Sequence, residues 1–319
     1  MRLRILVVLL FLFFSFFGMQ AGAQETISIV CTNSVLADFT SEIITENVTI
    51  EYIMPAGACP AHFDTCPSDI QLIAGADIIV SLGWEPWLTS ILEASENKDV
   101  AQIKCSQLGE WCLPSNAIDY VNKIRDELII LLPSYNVSIH ESAQEYIAEI
   151  NDTAEQLRQI IESNGCLGKK VICMQWQKDF VESLGLNITF SYGPPEGLST
   201  QDILNVSNAA AAGDIVAIID NLQSGTEFGG RIASESGASH VIFTNFPGAV
   251  PGADTYLEVV TYNTQQLING IATYEYKQGD IANLEGRLNE VELQRNATIV
   301  IAVIFAVLAC ILIIMYKKK

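Results

Sequence analysis

SIHESAQEYIAEINDTAEQLRQIIESNG, residues 138–165, is the stretch on which the fold turns. Ala143, Ile147, Ile150, Ala154, Leu157 and Ile161 recur at three-and-four spacing and mark one face of a single long helix. Ser138 is placed to cap its start ahead of Glu141, and Asn164-Gly165 supplies a stop. Such a helix spans roughly 36 Å at about 1.5 Å per residue. On either side lies a block in which short apolar runs alternate with helical patterns. The block before it, 24–137, places strands at 27–31, 49–54, 77–82 and 100–103. The block after it, 166–273, repeats the order at 170–173, 187–192, 215–219 and 240–244. Continuous apolar strands separated by helices are the mark of parallel sheets covered on their faces. The expected fold is therefore α/β: two lobes, each a mainly parallel four-stranded sheet with helices on both faces, linked by one long backbone helix.

The two ends read differently. Arg2 and Arg4 precede an uncharged run over 5–17, followed by Ala21-Gly22-Ala23, the order of a cleavable export signal over 1–23. No cysteine follows the apolar run, which argues against a bacterial-style lipid anchor. At the other end, 297–315 carries no charge and Lys317, Lys318 and Lys319 follow. That length and the lysine cluster imply a C-terminal transmembrane helix over 297–316, with the tail 317–319 in the cytoplasm and the bulk of the chain outside the cell. Between the second block and the span, Ile281, Leu284, Leu288 and Val291 keep a heptad spacing, so 274–296 reads as a helical stalk, with a weak dimer through it as one reading.

Composition narrows the partners. There are 37 Asp and Glu against 17 Lys and Arg, for a net charge of −20, and five of the basic residues sit at the two ends. So acidic a chain is a poor ligand for nucleic acid or anionic lipid and a plausible host for cations, with solubility as the plainer explanation. N-x-[ST] sequons at Asn47, Asn136, Asn151, Asn187, Asn205 and Asn296 point to a glycosylated extracellular surface. Of the 8 cysteines only Cys310 falls in the expected span, which leaves an odd number outside. Residues 166 and 173 bracket a strand and are too far apart to bridge.

The segment PAGACPAHFDTCPSD, residues 55–69, resembles the first ligand loop of the zinc/manganese solute-binding receptors of ABC importers, a periplasmic metal-binding family. That loop is usually written P-x-G-x-D-P-H-x-[YF]-E-P-x-P-x-D. The resemblance continues through LGWEPWL at 82–88, WCLPSNA at 111–117, STQDI at 199–203 and YLEVVTYN at 256–263. It implies two α/β lobes bridged by one long helix, with a metal ion held in the cleft between them and handed to an ABC permease. The family's ligands are three His, or two His and a Glu, plus an Asp. Here the first position falls on Ala61, with His62 one step along; the second falls on Gly109, with Leu113 for the motif's Asp; the third falls on Met174 and the fourth on Asn245.

Imidazole and carboxylate suit zinc and manganese, whereas a thioether and an amide suit them poorly. The candidate metal residues are therefore His62, Asp220, Met174, Asn245 and Cys173. A softer site drawing on Cys31, Cys173 and Met174 would favour copper or another thiophilic ion. Asp220 ends a strand, where open α/β sheets place their ligands. Glu85, Trp84, Trp87, Trp176 and Gln175 follow strand ends and are expected to line the cleft, where the aromatics also fit an organic or chelated ligand. His140 and His240 read as structural. Cys59 with Cys66, and Cys105 with Cys112, bracket the first two ligand loops and read as disulfide staples in an exported protein.

The expected function is an extracytoplasmic solute-binding receptor capturing a transition-metal ion or metal complex. The alternative is a structural or adhesive surface protein that keeps the fold and has lost the site. Neither a G-x-x-x-x-G-K-[ST] phosphate loop nor an H-E-x-x-H helix occurs, and no nucleophile–base pair is evident, so an enzyme is not expected.

Overall fold

A computed structural model describes residues 26–317. The expected export signal over 1–23, and Lys318 and Lys319, lie outside the described residues. The chain forms two compact units. One holds the residues up to Gly109 together with Ser115–Ile150 and Phe246–Ala249; the other holds Glu110–Pro114, Asn151–Asn245 and everything from Val250 onward.

The first unit carries β1 (Ile27–Cys31), α1 (Ser34–Ile43), β2 (Val48–Tyr52), α2 (Pro67–Ala74), β3 (Ile78–Ser81), α3 (Leu88–Ala94), β4 (Ala101–Lys104) and α4 (Pro114–Leu131). Its sheet has the order β2-β1-β3-β4, and every pairing is parallel. β3 is buried along its whole length, as an interior strand covered on both faces must be, and its sequence Ile-Ile-Val-Ser is nearly all apolar. β2 lies at the edge and keeps polar residues exposed.

Helix α5 (Asn136–Ser163) follows a short turn at Pro133–Tyr135. Ile139, Ala143, Tyr146 and Ile150 are buried in the first unit, and the Tyr146 hydroxyl donates to Asp38 at 3.2 Å. Leu157 and Ile161 are buried in the second. The expected apolar face is thus the one that packs, but the expected cap is not the cap. The helix starts at Asn136, two residues before Ser138, whose hydroxyl donates back to the Tyr135 carbonyl at 3.0 Å.

The second unit repeats the plan with β5 (Lys170–Met174), α6 (Lys178–Ser183), β6 (Asn187–Tyr192), α7 (Thr200–Ala211), β7 (Ile215–Asn221), α8 (Glu227–Ser236), β8 (Ser239–Phe243) and α9 (Tyr256–Lys317). The sheet order is β6-β5-β7-β8, again parallel throughout. Ser199 caps α7 through a reciprocal pair with Asp202, which satisfies two otherwise orphaned amides. α9 crosses the sheet at its β8 edge. A Cβ on Gly270 would lie 2.3 Å from Val241 Cγ2, so this close approach of helix to strand requires glycine. Lobe helix, stalk and apolar end are one unbroken helix of 62 residues, with no break where the stalk was expected to begin.

Candidate functional site

In open parallel sheets, ligands bind beyond the carboxyl ends of the strands where the strand order reverses. That point lies between β1 and β3 in the first unit and between β5 and β7 in the second. Each is described by itself.

In the first unit β1 runs into Thr32-Asn33-Ser34, the start of α1. Asn33 caps the helix by accepting from the Leu36 amide at 3.0 Å. Its Nδ2 is buried without a partner in the protein, as are Ser34 Oγ and Ser81 Oγ at the end of β3. Buried polar atoms are nearly always bonded, so three together at a strand-order reversal mark a place built for something polar, water or ligand. Glu85 was expected to line a cleft. Instead its carboxylate is buried and ties the strand ends together, accepting from Thr32 Oγ1 at 2.5 Å, from the Leu82 amide at 2.8 Å and from the Trp84 amide at 3.0 Å. Trp84 is 53% exposed. Trp87 is buried, donates to the Pro60 carbonyl at 3.1 Å and meets Phe63 edge-on. It therefore holds the 55–69 loop, on which Ala61 and His62 are both exposed.

Gly109, where the resemblance places a second ligand, has φ +79, and a Cβ there would lie 2.4 Å from Asn116 Nδ2. A side chain here would be strained by the backbone and would have to displace the Asn116 amide. His140 is exposed on α5, so the packing role expected of it is not what the structure shows.

In the second unit β5 ends in Met174-Gln175-Trp176-Gln177. Met174 is fully buried among Ile172, Tyr192, Val206 and Ile218, so its thioether packs the core rather than facing a ligand. Cys173 is equally buried; desolvation, with help from Glu182, pushes its thiol up to about 12. Burial does the same to Cys31 in the first unit. Gln175 is exposed, and Trp176 packs its ring against the core while Nε1 is buried without a partner. Gln177 Oε1 and Asn221 Nδ2 share that condition, again at the strand-order reversal.

Asp220 lies in the last two residues of β7. Its carboxylate is fully buried, accepts from the Tyr192 hydroxyl at 2.5 Å, and bonds His240 Nε2 at 2.7 Å. Gly229 makes room for it, since a Cβ there would lie 2.2 Å from Asp220 Oδ2. Asp220 is thus the centre of an internal network rather than an open metal ligand, and His240 is its partner. Asn245 is half-buried. Its amide donates to Gln223 Oε1 at 3.2 Å, its carbonyl accepts from Trp111 Nε1 at 2.7 Å, and its Oδ1 accepts from the Cys112 thiol at 3.7 Å. Beside it, crowding by the protein and the nearby Asp179 carboxylate push Glu110 up to about 7. Among the described residues no group of three or more His, Cys, Asp and Glu side chains is gathered to hold a metal ion.

The expected staples are also absent: Cys59, Cys66, Cys105 and Cys112 are free thiols. Cys66 bonds Ser68 at 3.0 Å and serves as the cap of α2, Cys112 is turned onto Asn245, and Cys105 is buried at the end of β4. With a thiol reagent the folded chain is expected to react at Cys66 first and Cys59 more slowly. Cys31, Cys105, Cys112 and Cys173 should wait for unfolding, after which 8 thiols titrate. A final count four lower would restore the staples.

Two four-stranded parallel sheets of matching strand order, joined by a long helix, define a periplasmic metal-binding class of fold. Solved structures agree: the periplasmic metal-binding protein of Candidatus Liberibacter asiaticus matches with a TM-score of 0.65 at 19% identity, over 77% of this chain and 99% of that one. The chain belongs to the family described as zinc-uptake complex component A, periplasmic, which matches residues 29–270. Among its relatives, the manganese-binding lipoprotein MntA of Halalkalibacterium halodurans is 24% identical over 78% of this chain and 89% of its own length. The iron ABC transporter substrate-binding lipoprotein MtsA of Streptococcus pyogenes is 24% identical over 47% of this chain and 59% of its own.

The strand-end groups Asn33, Ser34, Ser81 and Gln177 escaped the sequence reading. Thr32-Asn33-Ser34 directly after the first strand was the available signal, being polar where a strand meets a helix.

Proposed function

We propose that this chain is an extracytoplasmic solute-binding receptor that captures a transition-metal ion, or a complex of one, for an ABC permease. Family membership across both α/β units carries this reading, and relatives named for manganese and iron support a metal cargo. His62 is exposed on the 55–69 loop of the first unit, and Asn245 of the second offers an amide oxygen. Neither group by itself makes more than a weak site for a bare ion, which favours cargo that arrives carrying ligands of its own.

The receptor is held at the cell surface by the end of α9. This is the one helix among the described residues long and apolar enough to cross a membrane, and 297–315 is uncharged. All six sequon asparagines are exposed, consistent with glycosylation on the outer side. The stalk stripe at Ile281, Leu284, Leu288 and Val291 is open to a second copy.

The test is thermal unfolding of the full chain against zinc, manganese, iron(II), cobalt, nickel and copper(I), each alone and as a citrate complex. One cargo at about 100 times its dissociation constant should stabilise the folded state by about 2.7 kcal/mol. His62→Ala should reduce that shift while leaving the unliganded transition in place. The missing three-ligand group favours a second reading, a surface protein that has lost binding, and no shift with any ion or complex would select it.

A further inference from the structure

Beyond Glu275, which pairs with Lys169, α9 is exposed at its described positions, yet its surface is not uniform. From Ile281 the positions Leu284, Leu288, Val291, Arg295, Thr298, Ala302, Phe305 and Ala309 follow one another at alternating spacings of three and four. That is one unbroken heptad stripe crossing from stalk into apolar segment. Its chemistry changes where the surroundings would. In the stalk the stripe holds large aliphatics, 48% to 65% exposed, on an otherwise mostly polar helix. In the apolar segment, where most side chains are large, three of the stripe's four positions are small, Thr298, Ala302 and Ala309, with Phe305 the exception. Helices associate in water by burying large apolar residues and in lipid by close packing over small ones. A single stripe that obeys both rules in turn fits a helix paired along its whole length.

We propose that α9 pairs with α9 of a second copy of this chain, parallel and in register, from Ile281 to Ala309. The proposal rests on the reading of 297–316 as a membrane span, because a shared membrane is what makes the two helices parallel. Charge complementarity names the partner. In a parallel pair Arg287 of one helix lies across from Glu292 of the other, twice by symmetry. Arg295, the one charge on the stripe, is 3.8 Å from Glu292 of its own helix, so that carboxylate serves both. One pairing opposes the dimer: Asp280 faces Glu285 across the top of the stalk. It also supplies a test with a sign, because Asp280→Lys converts repulsion into attraction.

The full chain in membranes, with Cys66→Ser to lower background, is oxidised with diamide after introducing Leu284→Cys or Asn283→Cys. Paired helices bring position 284 within disulfide reach and keep 283 on the outside, so covalent dimer should be about tenfold greater from the former. Ala302→Leu should lower the yield from Leu284→Cys, and Asp280→Lys should raise it. Equal yields from 283 and 284, or indifference to both second variants, would overturn the pairing. Alkaline carbonate extraction separates the two readings: a chain released into the supernatant removes the span, whereas a chain retained in membranes without position-dependent dimer removes the pairing alone.

Discussion

Asp220→Ala is expected to cost about 2–3 kcal/mol and to lower the unfolding transition of the unit built on β5–β8 by on the order of 5–10 °C. The reason is local. The carboxylate is completely buried and holds two groups from different strands, the Tyr192 hydroxyl on β6 and the His240 ring on β8. Removing it leaves the buried Tyr192 hydroxyl without its partner and an empty space beside Gly229, while His240, which is exposed, turns to water. An unmet buried polar group costs about 1–3 kcal/mol, so the losses add to a large fraction of a domain's stability. Asp220→Asn is the informative companion: its amide oxygen still accepts from Tyr192, and its nitrogen meets a His240 ring that can present a lone pair, so the loss should be clearly smaller. The transition would be followed by differential scanning calorimetry. A variant that melts with the native protein would show that Asp220 faces solvent or cargo rather than the core.

Glu85→Ala is the matching experiment on the other unit, with an expected cost of about 3 kcal/mol. Three donors converge on this carboxylate, and two are backbone amides of the turn that follows β3. Without it the Leu82 and Trp84 amides lose their acceptor and Thr32 is released from the end of β1. Glu85→Gln keeps an acceptor oxygen and should recover much of the loss. Because the two carboxylates belong to different units, their effects should be additive in the double variant, as for well-separated sites. A strong deviation from additivity would mean that the units do not melt as separately built bodies.

Much of the fold was legible because burial on both faces of a sheet leaves an uninterrupted apolar run. β1 and β6 begin and end where the runs over 27–31 and 187–192 do. β7 extends two residues further than its apolar run, through Asp220 and Asn221, since both are buried polar residues that read as a stop signal. The helix face over 143–161 was legible for a similar reason, whereas its start was set by Pro133–Tyr135 and not by a side-chain cap. The site was far less so. Asp220 finds its partners 28 and 20 residues away, and pairings at that range leave no periodic trace. The cysteine spacings looked like staples because sequence shows proximity along the chain and not direction; in the folded chain Cys66 and Cys112 turn to Ser68 and Asn245. Resemblance located the 55–69 loop, but it could not show that Asn116 fills the place a side chain at Gly109 would need.

The most direct test is the metal content of the full chain purified from its own membranes in detergent without chelator. The account predicts close to one equivalent of a single transition metal, removable by dialysis against a chelator and restored, with its thermal shift, by that metal or its complex. A mixture of metals far below one equivalent, together with no shift on adding any of them back, would contradict a receptor for metal cargo.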